Sequence, residues 1–410
     1  MSVIPLLNRT LPLRPLSLCL LSLASPACWS QNVPHYVGGS LGYTQVSNLY
    51  RESANGNDDT VISTGLLAGA DQRLGRQHVT VDASLQNNRY SRDTSLNNQS
   101  YSLRSALDWQ TIGNLSGTLS ATSSRALADF NIGGIAPIRK KNTQRDDTYA
   151  AVARIGVLTR YTVELGYSQT RRSFSAAEYE RLAFDADTTS LGVYATPGAN
   201  IRLGVTARQQ NGHSPNYAQR FAIDPVTQQV VVVTVANDSS RRDLDLTASW
   251  SSGQPLTGSV RLSRSRTKNS LPGVADFSGT TGAISLNWQA SAKLALQAQL
   301  SRDTGQSTQV RASDVNQRFW SSQLSASYSI TSAVALTSSA GYLHSTTQTV
   351  DLVTAPGYDN TRTYALGVRW AYSQSLSVGC QYTRNNRDSS TGFLSYKAAS
   401  TGCVAQVLVL

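Results

Sequence analysis

Apolar and polar residues alternate one by one over long stretches of this chain. Between residues 77 and 91, Val79, Val81, Ala83 and Leu85 hold odd positions, and His78, Thr80, Asp82, Ser84 and Gln86 hold even ones. A strand sends successive side chains to opposite faces, so this spacing predicts a strand with one apolar and one polar face. The same pattern returns at Leu115, Gly117, Leu119 and Ala121, at Val163, Leu165 and Tyr167, and at Ile201, Leu203, Val205 and Ala207. It continues through Leu244–Trp250, Ile284–Trp288, Leu294–Leu300 and Tyr364–Tyr372. No helical period persists. About eighteen such segments are found, each of about 10–14 residues, where soluble strands have about five or six. Tilted transmembrane strands need about that greater length.

The connections alternate in length. Short ones fall near 74–77, 110–114, 158–160, 196–200, 251–255, 290–293, 329–333 and 373–376. Long ones fall near 51–59, 91–99, 126–146, 174–183, 211–240, 268–278, 303–316, 345–361 and 385–393. Outer-membrane barrels have even strand numbers, short periplasmic turns and longer external loops. The expected fold is therefore all-β, a transmembrane antiparallel up-and-down barrel of about 18 strands with both termini on the short-turn side. Aromatics at strand ends fit interfacial girdles: Tyr43 and Tyr50, Tyr101 and Trp109, Tyr161 and Tyr167, Trp320 and Tyr328, Trp370 and Tyr372. Ordinary strand propensity explains any one of them. Within 211–240, Phe221-Ala222-Ile223 and Val230–Val235 flank Asp224-Pro225-Val226-Thr227. This reads as an apolar hairpin that either constricts the barrel or extends above it, or else as longer outer ends of two strands.

Length alone, 410 residues, suggests two or three soluble domains; the loop alternation replaces them with one barrel. With 15% charged residues, 18 Tyr and 6 Trp, the chain is no disordered polymer. Residues 1–30 read as a secretory signal, leaving 31–410 as the barrel. Arg9 and Arg14 precede a short apolar stretch, Pro15 to Ala24, and Cys28 and Ser30 are small residues before a cut at Gln31. A lipoprotein cut before Cys28 is the rival, but Ser25-Pro26-Ala27 makes a poor lipobox. Loss of Arg9 and Arg14 takes the formal net charge from +11 to +9. These features place the protein in the outer membrane of a Gram-negative bacterium, among outer-membrane lipid and lipopolysaccharide.

Only Cys380 and Cys403 remain after the signal. A hairpin pairing them directly is centred between Thr391 and Gly392 and sets Val378 opposite Ala405 and Leu376 opposite Val407, all apolar. Directly opposed residues come close enough for a disulfide, which is expected in an oxidising compartment.

With the apolar parity on lipid, the other lines the lumen. That places Arg73, Arg104, Arg154, Arg202, Arg208, Arg261, Lys293 and Arg369 there, with Asp71, Asp82, Asp108, Glu164, Asp243 and Asp245. Asn287, Gln289, Gln297 and Gln299 share this face. A lining rich in hydroxyls and amides, with a slight positive bias, suits a hydrated polymer through many replaceable hydrogen bonds; any barrel interior must also be polar. Further cations are expected on loops: Arg139, Lys140, Lys141 and Arg145; Arg171 and Arg172; Arg241 and Arg242. They suit lipopolysaccharide phosphates or plain solvent equally.

Candidate chemistry is sparse. His35, His78, His213 and His344 form no metal motif, and no nucleophile elbow or phosphate loop occurs. His213, Ser214 and Asp224 are a weak triad candidate. His78 and Asp82 need no role beyond a hydrogen bond in the lumen. No catalytic residue, metal, cofactor or nucleic acid is expected.

The segment Tyr36-Val37-Gly38-Gly39-Ser40-Leu41-Gly42-Tyr43 after the signal, the Ser/Thr-rich alternating strands, and Val378-Gly379-Cys380 with Gly402-Cys403 carry a resemblance. The mature chain resembles the outer-membrane β-barrels of bacterial exopolysaccharide clusters, the exosortase-associated EpsL-type proteins. The resemblance implies export of a polysaccharide across the outer membrane with a periplasmic partner, and carries no catalytic residues; the lumen arginines can pair bidentately with the carboxylates of an acidic sugar, so the polymer is expected to be acidic or neutral. The terminal Val407-Leu408-Val409-Leu410 lacks the Phe that ends many such barrels. The sequence thus points first to a non-enzymatic exopolysaccharide channel. A general diffusion porin for small solutes is the alternative, and a barrel hydrolase a more distant one.

Overall fold

The computed structural model describes residues 35–409 apart from 55, 133–134, 157–158, 199, 224–229, 252–254, 273, 305–316 and 348–356. The expected signal and its cleavage site lie outside the described residues. The chain forms β1 (His35–Val46), β2 (Asp59–Leu74), β3 (Gln77–Tyr90), β4 (Asn98–Gln110), β5 (Leu115–Leu127) and β6 (Thr143–Ile155). There follow β7 (Tyr161–Phe174), β8 (Phe184–Gly198), β9 (Ile201–Ile223), β10 (Val230–Ser251), β11 (Leu256–Asn269) and β12 (Phe277–Gln289). The last are β13 (Leu294–Thr304), β14 (Gln317–Ser329), β15 (Val334–Thr347), β16 (Gly357–Ala371), β17 (Leu376–Ser389) and β18 (Tyr396–Val409). Each pairs antiparallel with its sequence neighbours, and β1 also pairs with β18, from Val37 opposite Val409 to Val46 opposite Ser400. The 18-stranded sheet is a closed barrel with no free edge. Among the described residues no helix is long and apolar enough to cross a membrane; strands do the crossing.

The alternation in sequence becomes the two faces of this wall. Val37, Leu41, Leu66, Leu85, Leu119, Leu165, Leu191, Leu203, Leu262 and Leu366 are all exposed on the outer face, Leu66 at 65%. So large an apolar exterior is unsustainable in water and is what a lipid-facing belt requires. Tyr161, Trp288, Tyr328, Trp370 and Tyr372 ring its short-turn edge. Two tryptophans there lie over cross-strand glycines, Trp109 over Gly117 and Trp250 over Gly258; a Cβ at either glycine would run into the indole. Tyr50, expected in the girdle, is instead buried in the β1–β2 loop.

Gly75, at φ 64°, begins the tight two-residue turn between β2 and β3, a conformation that suits glycine. The expected long loop 211–240 is mostly strand: β9 and β10 run 23 and 22 residues and stay paired to Ile223 opposite Val230, with one register shift between Val235 and Asn237. A span needs about 9–11 residues, so roughly half of this hairpin stands beyond the membrane. The longer outer ends won because the ladder continues to satisfy backbone groups. Arg241 and Arg242 consequently sit in β10, and Arg145, Arg171 and Arg172, also expected on loops, sit in β6 and β7.

Buried apolar packing is concentrated at the long-loop end. Val46, Leu49, Tyr50, Val61, Tyr90, Leu96 and Phe130 form one cluster there, and Ala176, Tyr179 and Leu182 a second with Ile132, Ile135, Ile138 and Phe174. The Cys380–Cys403 disulfide joins β17 to β18, in the expected register with Val378 opposite Ala405 and Leu376 opposite Val407. It lies on the outward parity, shared with Tyr382 and Val407.

Candidate functional site

The inward wall holds the charged residues in two main networks. On β9–β13, Arg208 pairs with Asp243 at 2.7 Å and Asp245 at 3.5 Å. Arg241 reaches Asp243 at 3.0 Å and Asp303 at 2.8 Å, and donates to Thr304 at 3.0 Å. Arg261 contacts Asp303 at 3.3 Å and Asp245 at 3.8 Å. Three ladder steps put β10 and β13 at least about 14 Å apart on a flat sheet, so the Arg241–Asp303 contact requires the wall to curl sharply inward here. The curl also explains the burial: Arg241 is 2% exposed. Buried charges of this kind must be paired, and here three cations meet three anions.

The second network spans β4–β9. Arg154 binds Glu164 at 2.9 Å and donates to Thr118, whose hydroxyl donates to Asp108 at 2.7 Å. Arg202 lies 3.6 Å from Glu164 and 3.9 Å above the Tyr194 ring. Elsewhere on the wall His78 pairs with Asp71 at 2.7 Å, and the Tyr36 hydroxyl donates to Asp82 at 2.9 Å. Arg73, Arg104 and Arg369 also stand on the inward parity, and none makes a hydrogen bond or ion pair with a described residue.

Lys293 departs from the expectation. It lies in the turn before β13, and its ammonium donates to the Ile330 carbonyl at the short-turn rim. Arg241 and Asp303 escaped the sequence reading because both were set in loops. Their parity, shared with Asp243 and with Ser301 respectively, was the signal that could have found them. Without Lys293, and with Arg172, Arg241 and Arg387 added, the inward cations on strands number ten. With Asp59, Asp146, Asp303 and Asp359 added, the anions number ten as well. The lining is thus balanced, and the slight positive bias expected of it disappears. The surplus cations lie on the outward face near the long loops, among them Arg89, Arg125, Arg302, Arg318, Arg362, Arg384 and Lys397.

The loop between β5 and β6, described at residues 128–132 and 135–142, reaches across the mouth. Asn131 donates to the carbonyls of Arg51 and Leu394 and accepts from Arg387 at 2.8 Å. Asp129 pairs with Arg51 at 3.1 Å, and Arg139 grips Glu52 through two bonds of 2.7 and 2.8 Å. Phe130 meets Tyr50 edge-on, and the Tyr179 hydroxyl donates to the Phe130 carbonyl. One loop is thereby tied to those after β1, β7 and β17. The Arg139 guanidinium holds the Glu52 carboxyl below the usual glutamate range. Of the loop cations, Arg139 and Lys140 are spent on Glu52 and Glu178, and Lys141 on the Asn97 carbonyl.

His213 and Ser214 do not come together as a catalytic pair. His213 faces outward and binds Asp238 at 2.6 Å, Ser214 is buried on the opposite parity, and Asp224 is outside the described residues. Among the described residues no group of three or more His, Cys, Asp or Glu could hold a metal.

No protein-family model matches the chain. No curated protein matches it in sequence. Among solved structures it is similar to OccK2 (OpdF) of Pseudomonas aeruginosa, solved with glucuronate, at 12% identity and a TM-score of 0.46, covering 92% of this chain and 98% of that one. OpdK of the same organism gives the same values. The siderophore receptor PirA of Acinetobacter baumannii gives 7% identity and a TM-score of 0.42, covering 91% and 80%. The barrel assignment rests on the closed ladder and not on these likenesses. That ladder, with an apolar exterior and a polar interior, is an outer-membrane β-barrel of Gram-negative type.

Proposed function

We propose that the protein is a passive channel through which small hydrophilic solutes diffuse across the outer membrane. The observation that carries this reading is the balanced, ion-paired inward wall. Its charges are largely consumed by one another, as in the Arg208–Asp243–Arg241–Asp303–Arg261 chain, so the lining exerts little net field. Barrels of 16–18 strands leave an aqueous path, and selection then falls to size at the mouth, where residues 128–142 narrow it. Uncommitted Arg73, Arg104 and Arg369 give a weak preference for anions. Planar-bilayer recording of the purified protein tests this: discrete conductance steps with weak ion selectivity are expected. A correctly folded barrel that never conducts would overturn it.

Export of an exopolysaccharide is the second reading. The inward row of Asn287, Gln289, Gln297 and Gln299 favours it, since amides give a sliding polymer replaceable partners. A deletion strain that accumulates polymer in the periplasm would support export; unchanged secretion would discard it.

A further inference from the structure

The outer wall carries a cluster that the channel does not use. Arg242 on β10 and Arg264, Arg266 and Lys268 on β11 point outward and are exposed. Arg242 stands directly opposite Arg266, with Arg264 opposite Leu244 and Lys268 opposite Ser240. Like charges in direct opposition destabilise a sheet unless something negative lies between them. Nothing in the described protein does. None of the four makes a hydrogen bond or ion pair with a described residue. Flanking outward positions are the neutral Gln209 and Asn211 of β9 and Ser278 and Thr280 of β12. Two carboxylates lie at the outer end of the cluster: Asp238 is held by His213 at 2.6 Å, and Asp276, one step past the β11–β12 ladder beside Lys268, accepts from the Asn269 backbone N–H at 2.9 Å, so neither stands between Arg242 and Arg266.

Directly beneath, on the membrane side, is an apolar groove of about 530 Å³ in the same wall. Leu246, Ala248, Val260 and Leu262 line it from β10 and β11, and it reaches Leu203 and Tyr161. Leu262 is two residues from Arg264 on the same face. Four unpartnered cations stacked above an apolar groove match one chemistry: phosphate head above acyl chain. A phosphate monoester carries about −1.5 to −2 charges and three strong acceptor oxygens, enough to bridge Arg242 and Arg266. Near the bilayer, where the effective dielectric is low, such contacts gain strength.

We propose that the outer wall of β10–β11 is a binding site for a phosphorylated, acylated lipid of the outer leaflet. Arg242, Arg264, Arg266 and Lys268 hold its phosphate, and the groove below holds an acyl chain. The site rests on the outer-membrane reading, in which the long loops face outward, but it is independent of what passes through the lumen.

Native mass spectrometry of the full mature protein in detergent tests it, with diphosphoryl lipid A, the same lipid stripped of phosphate, and inorganic phosphate as probes. The wild type should retain diphosphoryl lipid A. The Arg242→Gln/Arg266→Gln double variant should bind it about tenfold or more weakly, the loss of one or two charge-assisted hydrogen bonds. Arg264→Gln/Lys268→Gln, as a second pair, should repeat that loss. Phosphate-free lipid should bind all forms equally and weakly, and inorganic phosphate should not bind. Undiminished retention by both variants, or equal retention of the phosphate-free lipid, would overturn the proposal. Heat-modifiable gel migration and single-channel conductance should be unchanged in both pairs, which separates loss of this site from failure of the barrel or channel reading.

Discussion

Arg241 shows how one inward side chain fixes the shape of the wall around it. Its guanidinium joins Asp243 on its own strand to Asp303 three strands away, and nearly all of it is out of solvent. A buried pair need not add net stability, but removing one member leaves uncompensated charge. Arg241→Met should therefore cost about 3–5 kcal/mol, read as a lower urea midpoint of the refolded barrel. The paired change Arg241→Met with Asp303→Asn should recover part of that loss, because the stranded charge is then reduced. Gly117 is a second residue whose identity is dictated by contact. A Cβ there would meet the Trp109 indole and the Val152 carbonyl, and a backbone oxygen cannot move aside cheaply. Gly117→Val should lower the folded yield, whereas Gly113→Val, in the adjoining turn with only Thr111 within 3.9 Å, should not.

At the scale of elements, the loop 128–142 is the part of the mouth most open to experiment. Glu52 is held ionised by Arg139, so its folded pKa lies below its unfolded value. The contribution of such a group is complete above the unfolded pKa and is lost as pH falls through the folded one. The Arg139–Glu52 tie should therefore hold at neutral pH and weaken only below the ordinary glutamate range, about 4.3, leaving Asp129 and Asn131 on Arg51 as the remaining ties to the β1–β2 loop. Single-channel steps should grow in that acid window, and Glu52→Gln should show the larger steps already at pH 7. Steps indifferent to both changes would mean that the loop does not limit the path. The hairpin of β17 and β18 offers a different test. Its disulfide closes a loop with a sequence separation of 23, worth about 3 kcal/mol in the chain-entropy account. Cys380→Ser/Cys403→Ser should still give a heat-modifiable barrel, because the ladder from Leu376 to Arg387 is unaffected, but one that unfolds at lower denaturant.

For the whole molecule the distribution of charge matters more than its total. The formal +11 of the chain, +9 without the expected signal, points only weakly to an anionic partner. In the folded barrel the inward strands balance, and the excess of arginine and lysine is displaced to the outer wall beside the long loops. Permeation should accordingly depend little on solute charge, while retention in the membrane should depend on lipid phosphate. Reversal potentials in a salt gradient should sit close to zero; a strong cation or anion preference would mean that the lumen pairs are broken in the working state.

The sequence by itself determined the wall. A period of two, repeated between connections of alternating length, leaves eighteen antiparallel strands little choice, because a one-residue slip would turn every leucine of a strand into the lumen. The register of Cys380 with Cys403 was legible for the same reason: hairpin pairing follows from a sum of positions. Candidate lumen residues such as Arg208, Asp243 and Asp245 were likewise legible as a parity. Only tertiary structure decided which of them meet. Arg241 finds Asp303 because the wall curls, Asn131 finds Arg387 because a loop folds across the mouth, and Lys293 turns to the Ile330 carbonyl because its strand begins one residue later. These contacts depend on where strands end and how the sheet bends, and a local period carries no information about either.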